Sequence, residues 1–226
     1  MNNLTKVFFS FLFSIFASNV NAQIPPSTKE IENYPPLLAA AYAGDVLRIK
    51  QLLNQGLDVE QTDASDRTSV HIAAFASQNQ AIQLLADAGA NLNALEFQAY
   101  DIVTIAAVAN DVELLDLSLA LGANAGNVTS PYEGTALIAA AHLGHHEIVK
   151  SLIKAGAPLD HINNLGWTAL MEAVILGNGG PNHIETVRAL VDSGADQTIP
   201  DREGVSPLQH AITSNYTEII SILSQE

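Results

Sequence analysis

Cysteine is absent from the 226 residues. No disulfide can brace the fold and no thiolate can serve as nucleophile or metal ligand, so packing alone must hold the chain together. Positive charge is scarce too: nine Lys and Arg stand against 24 Asp and Glu, a formal charge of −15. That balance disfavours nucleic acid, whose phosphates need Lys and Arg opposite them, and disfavours an anionic membrane surface for the same reason. A neutral or basic partner is favoured, met at a salt-sensitive rate. Apolar runs are short, and none approaches the ~18 residues of a membrane span, so no anchor is expected in the mature chain. Catalytic signatures are missing as well: no G-x-S-x-G, no H-E-x-x-H and no phosphate-binding glycine loop occurs. Gly177-Asn178-Gly179-Gly180 lacks the spacing and the preceding strand of a nucleotide fingerprint. Neither an enzyme nor a cofactor is expected.

What is present begins with an N-terminal leader. Met1–Lys6 carries one positive side chain, Val7–Ala17 (VFFSFLFSIFA) is largely apolar, and Ser18–Ala22 (SNVNA) is small and polar. That order of regions is the layout of a secretory signal peptide, with Val20-Asn21-Ala22 as a small-x-small cleavage site. The expectation is export, cleavage after Ala22 and a mature chain from Gln23, resident in a periplasm or else secreted. Removing residues 1–22 takes away one lysine and no acid, leaving a formal charge of −16. The sequons at Asn127 (N-V-T) and Asn215 (N-Y-T) matter only in a eukaryotic secretory pathway. Residues 23–33 (QIPPSTKEIEN) are a polar, proline-containing lead-in, expected to be mobile.

The remainder repeats itself. Gly134–Ala157 (GTALIAAAHLGHHEIVKSLIKAGA) predicts a short helix capped by Thr135, a turn at Gly144, a longer helix and a Gly156 stop. The same pattern starts at Pro35, Thr68, Asp101, Thr135, Thr168 and Ser206, with spacings of 33, 33, 34, 33 and 38. Stops at Gly56, Gly89, Gly122, Gly156 and Gly194 keep the same beat. Such a period implies an all-α solenoid in which each unit buries its apolar face only against its neighbours. The alanine pairs, such as Ala106-Ala107 and Ala140-Ala141, let helices approach closely.

In period and in signature this resembles the ankyrin repeat. Thr68-Ser69-Val70-His71-Ile72-Ala73 and Ser206-Pro207-Leu208 match T-P-L-H-x-A, and Gly144-His145-His146-Glu147 matches the usual turn. The resemblance covers Tyr34 to the C-terminus, as repeats over about 34–62, 63–95, 96–129, 130–162, 163–200 and 201–226. It is similar to small exported bacterial members of the family. Repeat three departs from the pattern, with Asp101-Ile102-Val103-Thr104 in place of T-P-L-H and hence an irregular cap. Ser77, Asn110 and Asn215 replace the turn glycine.

The resemblance implies short hairpin-like fingers between repeats and a concave face built from the fingers and the exposed ends of the first helices. Mapped onto this chain, the finger positions of that face are Tyr34, Arg67, Phe97, Tyr100, Tyr132 and Trp167, and its helix positions are Tyr42, Phe75, His142, Leu143, Ile175 and Leu176. Seven of the mature chain's eight aromatics fall in this set, which suits a protein interface. Acids lie on or beside the fingers (Asp58, Glu60, Asp63, Asp66, Glu96, Glu133, Asp160, Asp201, Glu203), whereas Arg48, Lys50, Lys150, Lys154 and Arg188 fall on second helices. The expectation is a monomeric binding module whose partner protein offers apolar and basic side chains. Three other roles stay open: an accessory to a periplasmic enzyme, as in oxidative-stress defence, which the family resemblance suggests; a metal- or small-ligand-binding protein using His142, His145 and His146; and a secreted effector.

Two features stand outside this frame. His142, His145, His146 and Glu147 are suitable ligand types for a metal, but Gly144 interrupts the helix between them and His145 sits in a family turn position. The stretch Leu176–Val187 (LGNGGPNHIETV) carries five extra residues, read as a surface loop that lengthens the turn of repeat five and leaves both helices intact, with Pro181 ending any helical continuation.

Overall fold

A computed structural model describes residues 23–225; the leader expected over residues 1–22 lies outside them. Among the described residues there are thirteen helices and no extended strand: α1 (Thr28–Glu32), α2 (Pro36–Ala43), α3 (Val46–Asn54), α4 (Ser69–Phe75), α5 (Asn79–Asp87), α6 (Ile102–Ala109), α7 (Val112–Ala120), α8 (Ala136–Leu143), α9 (His146–Lys154), α10 (Ala169–Ile175), α11 (Pro181–Asp192), α12 (Pro207–Ser214) and α13 (Thr217–Leu223). From α2 onward they form six helix-turn-helix pairs. First helices pack on first helices of the next pair (α2 on α4, α4 on α6, α6 on α8, α8 on α10, α10 on α12), and second helices do the same from α3 to α13. The product is a solenoid with one continuous core, in which the alanine pairs of the first helices are fully enclosed.

Local chemistry sets the helix boundaries. The hydroxyls of Thr135, Thr168 and Ser206 accept the backbone N–H groups of Ile138, Met171 and Gln209. Repeat three is capped as well, and without irregularity: the Asp101 carboxylate accepts Thr104 N–H at 2.8 Å and Thr104 Oγ1 at 2.7 Å. The first-helix turn needs a left-handed residue. Gly44 and Gly144 provide it at φ 67° and 69°, while Asn110 and Asn215 adopt 55° and 58°. Ser77 sits there at φ 50°, its hydroxyl donating to Asp111 at 2.7 Å.

The side chain just after each turn reaches back to the preceding repeat. His145 donates from Nδ1 to Ala107 O at 2.9 Å, His183 from Nε2 to His142 O at 3.0 Å, and Tyr216 from its hydroxyl to Gly177 O at 2.8 Å. Each satisfies a carbonyl at or just beyond the C-terminal end of the neighbour's first helix, where no intrahelical donor remains. Deeper in the core, His71 links a helix cap to the next finger. Its Nδ1 accepts Thr68 N–H at 3.1 Å, which makes Nε2 the protonated nitrogen, donating to Ala94 O at 2.9 Å.

The extra residues of repeat five differ from the expected open loop. Pro181 starts α11 instead of ending a helix, with Gly180 as its N-cap, and α11 runs to 12 residues where α3, α5, α7 and α9 have 9. Proline is pre-set for that first position, where its missing N–H costs nothing. The turn itself is ordered: Asn178 Oδ1 accepts Gly180 N–H at 2.9 Å and contacts His183 Nδ1 at 3.2 Å. A Cβ on Gly177 would lie 2.1 Å from Ala173 O, so only glycine fits. The lead-in also differs from expectation. Ser27 caps α1 through a reciprocal bond with Glu30, and the segment lies against the second and third fingers.

Two expectations follow. Ala99 holds φ 61° at a fingertip where the last two fingers use Gly166 and Gly204. Ala99→Gly should stabilise the protein by about 1 kcal/mol, the left-handed penalty of alanine less the added chain entropy of glycine, read as a raised urea midpoint at unchanged slope. Burial lowers the pKa of His71, against the pull of its backbone hydrogen bonds to Ala94 and Tyr100. The folded protein then binds fewer protons there than the unfolded chain. Stability from this group is complete above about pH 6.5 and is lost as pH falls below that toward the lowered folded value. His71→Gln should flatten that part of the pH profile in urea titrations between about pH 7 and pH 5.

Candidate protein-binding face

Each finger is a tight turn that satisfies its own backbone. In the second finger Asp63 N–H donates to Arg67 O at 3.1 Å and Asp66 N–H to Asp63 O at 3.2 Å; the third, fifth and sixth repeat this with Glu96, Asn163 and Asp201. The side chain of that first residue accepts two further N–H groups, as Asn163 Oδ1 does from Leu165 and Trp167, both at 3.0 Å. Neighbouring fingers are tied as well, through Phe97 N–H to Ser65 O at 3.1 Å, Ser130 N–H to Ala99 O at 2.8 Å and Asn164 N–H to Tyr132 O at 2.9 Å. With so much of the finger backbone spent internally, recognition on this face falls mainly to side chains.

The structure sorts the expected contact residues into three groups. Phe97, Tyr132 and Leu143 are open, at 52%, 37% and 40% exposure. Tyr34, Tyr42, Phe75, His142, Trp167, Ile175 and Leu176 are half-buried. Arg67 and Tyr100 are buried, at 1% and 6%, and must be struck from the set. Arg67 is enclosed because the lead-in lies over it: its guanidinium donates to Asp63 at 2.7 Å, to Glu30 and to Ile24 O at 3.3 Å. Ile24 N–H in turn donates to Gln98 Oε1 at 3.2 Å, and Tyr34 OH donates to Asp63 at 3.4 Å. The N-terminal end of the face is therefore occupied by the chain itself, and its open part runs from Phe97 to Leu176. Burial raises the Tyr34 and Tyr100 phenols above their ordinary pKa, so both stay neutral.

The acidic edge is thinner than a count of carboxylates implies. Glu96 accepts Gln98 and Tyr100 N–H groups at 2.9 and 3.1 Å and is buried, which raises its pKa. Asp201 accepts Val205 N–H at 2.8 Å and pairs with His210 at 2.7 Å; burial pulls its pKa up, but these bonds outweigh it and leave the group lowered. Glu60 and Asp160 bond the next repeat's backbone at Asn91 and Asp196. Asp66, Glu133 and Glu203 remain exposed at the fingertips.

Sequence reasoning missed Glu172. It is an acidic residue inside an otherwise apolar first helix, a signal legible in ALMEAVI. Its buried carboxylate accepts Asn163 Nδ2 at 2.8 Å and lies 3.3 Å from His142 Nδ1, linking repeats four and five under the face. The apolar side chains Leu95, Val128 and Ile162, exposed on the fingers, were missed too. The histidine cluster is not brought together: His142 turns to Glu172, His145 to Ala107 O and His146 to Glu147. Among the described residues, no group of three or more potential ligands is placed to hold a metal ion. A separate open groove of about 590 Å³ lies on the second helices, lined by Val46, Lys50, Gln83, Leu84, Glu113 and Leu117.

Comparison with known proteins agrees with this geometry. The sequence model described as ankyrin repeats (3 copies) matches residues 4–96 and 103–201. The chain is 31% identical over 195 residues to the putative ankyrin repeat protein YahD of Escherichia coli, covering 85% of this chain and 96% of that one. Among solved structures, an ankyrin repeat domain from Acinetobacter baumannii superposes with a TM-score of 0.79 at 40% identity, covering 83% of this chain and 95% of the other. A second ankyrin repeat protein superposes at 0.78 with 32% identity, over 85% and 99%.

Buried and open members of the face should separate in stability measurements. Glu172→Ala strands the Asn163 amide and should cost about 2 kcal/mol, whereas Tyr132→Ala removes an exposed ring and should stay within about 0.5 kcal/mol of the parent in urea unfolding.

Proposed function

The chain belongs to the ankyrin-repeat family, whose repeats are protein–protein interaction modules, and we propose that it is an exported member that binds a partner protein with the finger face of repeats three to five. One observation carries this reading. Phe97, Tyr132 and Leu143 stand open, with Trp167 beside them, on fingers whose backbone is largely spent on itself. Aromatic side chains supply large contact area at small entropic cost, and interfaces concentrate their energy in such residues. Asp66, Glu133 and Glu203 at the tips set the sign of the rim, so the partner presents apolar side chains with a neutral or basic surround. The mature protein acts as a monomer in the periplasm, its net charge opposing self-association. No chemistry of its own is assigned.

The test is a paired affinity capture from periplasmic extract at low and moderate salt. One bait is the mature protein; the other carries Phe97→Ala, Tyr132→Ala and Leu143→Ala, with circular dichroism confirming the fold. A partner retained only by the first, more weakly as salt rises, is the expected result. Trp167, the chain's single tryptophan, then gives an independent readout through its fluorescence on titration with the purified partner. Equal retention by both baits would move the contact to the groove on the second helices.

A further inference from the structure

The lead-in sits on the finger face as a ligand would. Both main-chain groups of Ile24 are read by side chains of neighbouring fingers: its N–H donates to Gln98 Oε1 at 3.2 Å, and its carbonyl accepts from the Arg67 guanidinium at 3.3 Å. The Ile24 side chain is 47% exposed, so the seat takes the backbone of that residue and leaves its identity open. Six residues on, the Glu30 carboxylate meets the same guanidinium. Pro25 and Pro26 lie between the two anchors; they carry no N–H to satisfy and favour an extended chain. Main-chain bonds at one point and a matched charge at another are how a surface recognises a short segment.

The hold on this segment is polar and shallow. Helix α1 contributes no buried residue, and the Glu30 side chain stays 38% exposed. Ion pairs open to water add little stability. Arg67 keeps Asp63 at 2.7 Å when Glu30 leaves, so release strands no buried cation and opens the guanidinium to water. The tether contributes as much as the contacts, because a short link holds the segment at an effective concentration of roughly millimolar. Gln98 adjoins Phe97, whose ring is open. A foreign segment that makes the same two contacts can therefore continue onto the exposed part of the face, which the lead-in does not reach.

We propose that the ground beneath residues 24–30 is a second binding site, for an extended partner segment with an acidic side chain six residues after a backbone-anchored one, and that the lead-in is its displaceable resident. This site reads the charge opposite to that favoured by the fingertips of repeats three to five. The test opens the seat without altering it. Glu30→Lys sets a cation against Arg67 and removes the carboxylate of the α1 capping box, in a helix that buries nothing. Hydrogen exchange at Ile24 N–H reports the opening, and a labelled synthetic peptide of residues 23–33 is the probe in fluorescence anisotropy at low and moderate salt. Faster exchange is expected, with saturable, salt-sensitive binding of the peptide to the Glu30→Lys protein. Binding should be about tenfold weaker or more to the unaltered protein, and likewise for a peptide carrying Glu30→Gln. An Ile24 N–H that stays protected, an opened seat that takes no peptide, or equal binding of both peptides overturns the inference. Equal binding by both proteins places the peptide elsewhere and overturns it too. Dimers of the unaltered protein that Glu30→Lys abolishes, seen by light scattering, would give the seat to the lead-in of a second copy instead of a foreign segment. None of these failures touches the reading of repeats three to five, which the Phe97, Tyr132 and Leu143 bait tests separately.

Discussion

No helix pair in this chain can bury its own apolar face. The inner first helices, such as α6 and α8, are short, rich in alanine and apolar nearly all round, so each needs a like helix on either side. That requirement explains the small residues at the contact. Ala106-Ala107 and Ala140-Ala141 bring neighbouring backbones close, and close backbones put the polar ends of each turn within reach of the next repeat. The bonds of His145, His183 and Tyr216 to carbonyls of the preceding repeat follow from that proximity, as does the row of hydrogen bonds between fingertips. A cysteine-free chain can manage with this because the core is continuous along the array.

The same economy shapes the face. A finger that turned its backbone N–H groups outward would present unsatisfied donors, and the side chains of Asp63, Glu96, Asn163 and Asp201 prevent it by accepting them. The charges of Asp63, Glu96 and Asp201 are thereby turned inward, away from any partner. What remains available is the residue at the tip and the ring beside it, which is why a face so acidic in composition presents few free carboxylates.

The period, the helix pairs and the family signature were legible because they depend on local spacing. His71 bonding a loop backbone was legible for the same reason, since its place in T-x-x-H fixes its reach. The face was legible only as a set of positions. Whether a side chain at such a position is open depends on what lies over it, and at Arg67 that is a segment more than thirty residues earlier in the chain. Composition marked the lead-in as polar and mobile. Its order comes from one capping box and from a guanidinium supplied by another repeat, neither of which a local pattern can weigh. The extra residues of repeat five misled for a different reason. Proline stops a helix from within but starts one at its first position, and the sequence around Pro181 does not say which applies.

In an array where each repeat speaks only to its neighbours, the lead-in is an exception. It joins α1 to Arg67 and Tyr34 to Asp63 in the second finger and, through Ile24, reaches Gln98 in the third. Three repeats are thus fastened by one strand of chain, whereas at the other end α13 packs mainly on α11 and α12. Unravelling is then directional. The array loosens from its last repeat inward and keeps its first three as a block, so that along a chain of near-identical units the two ends differ in mechanical standing.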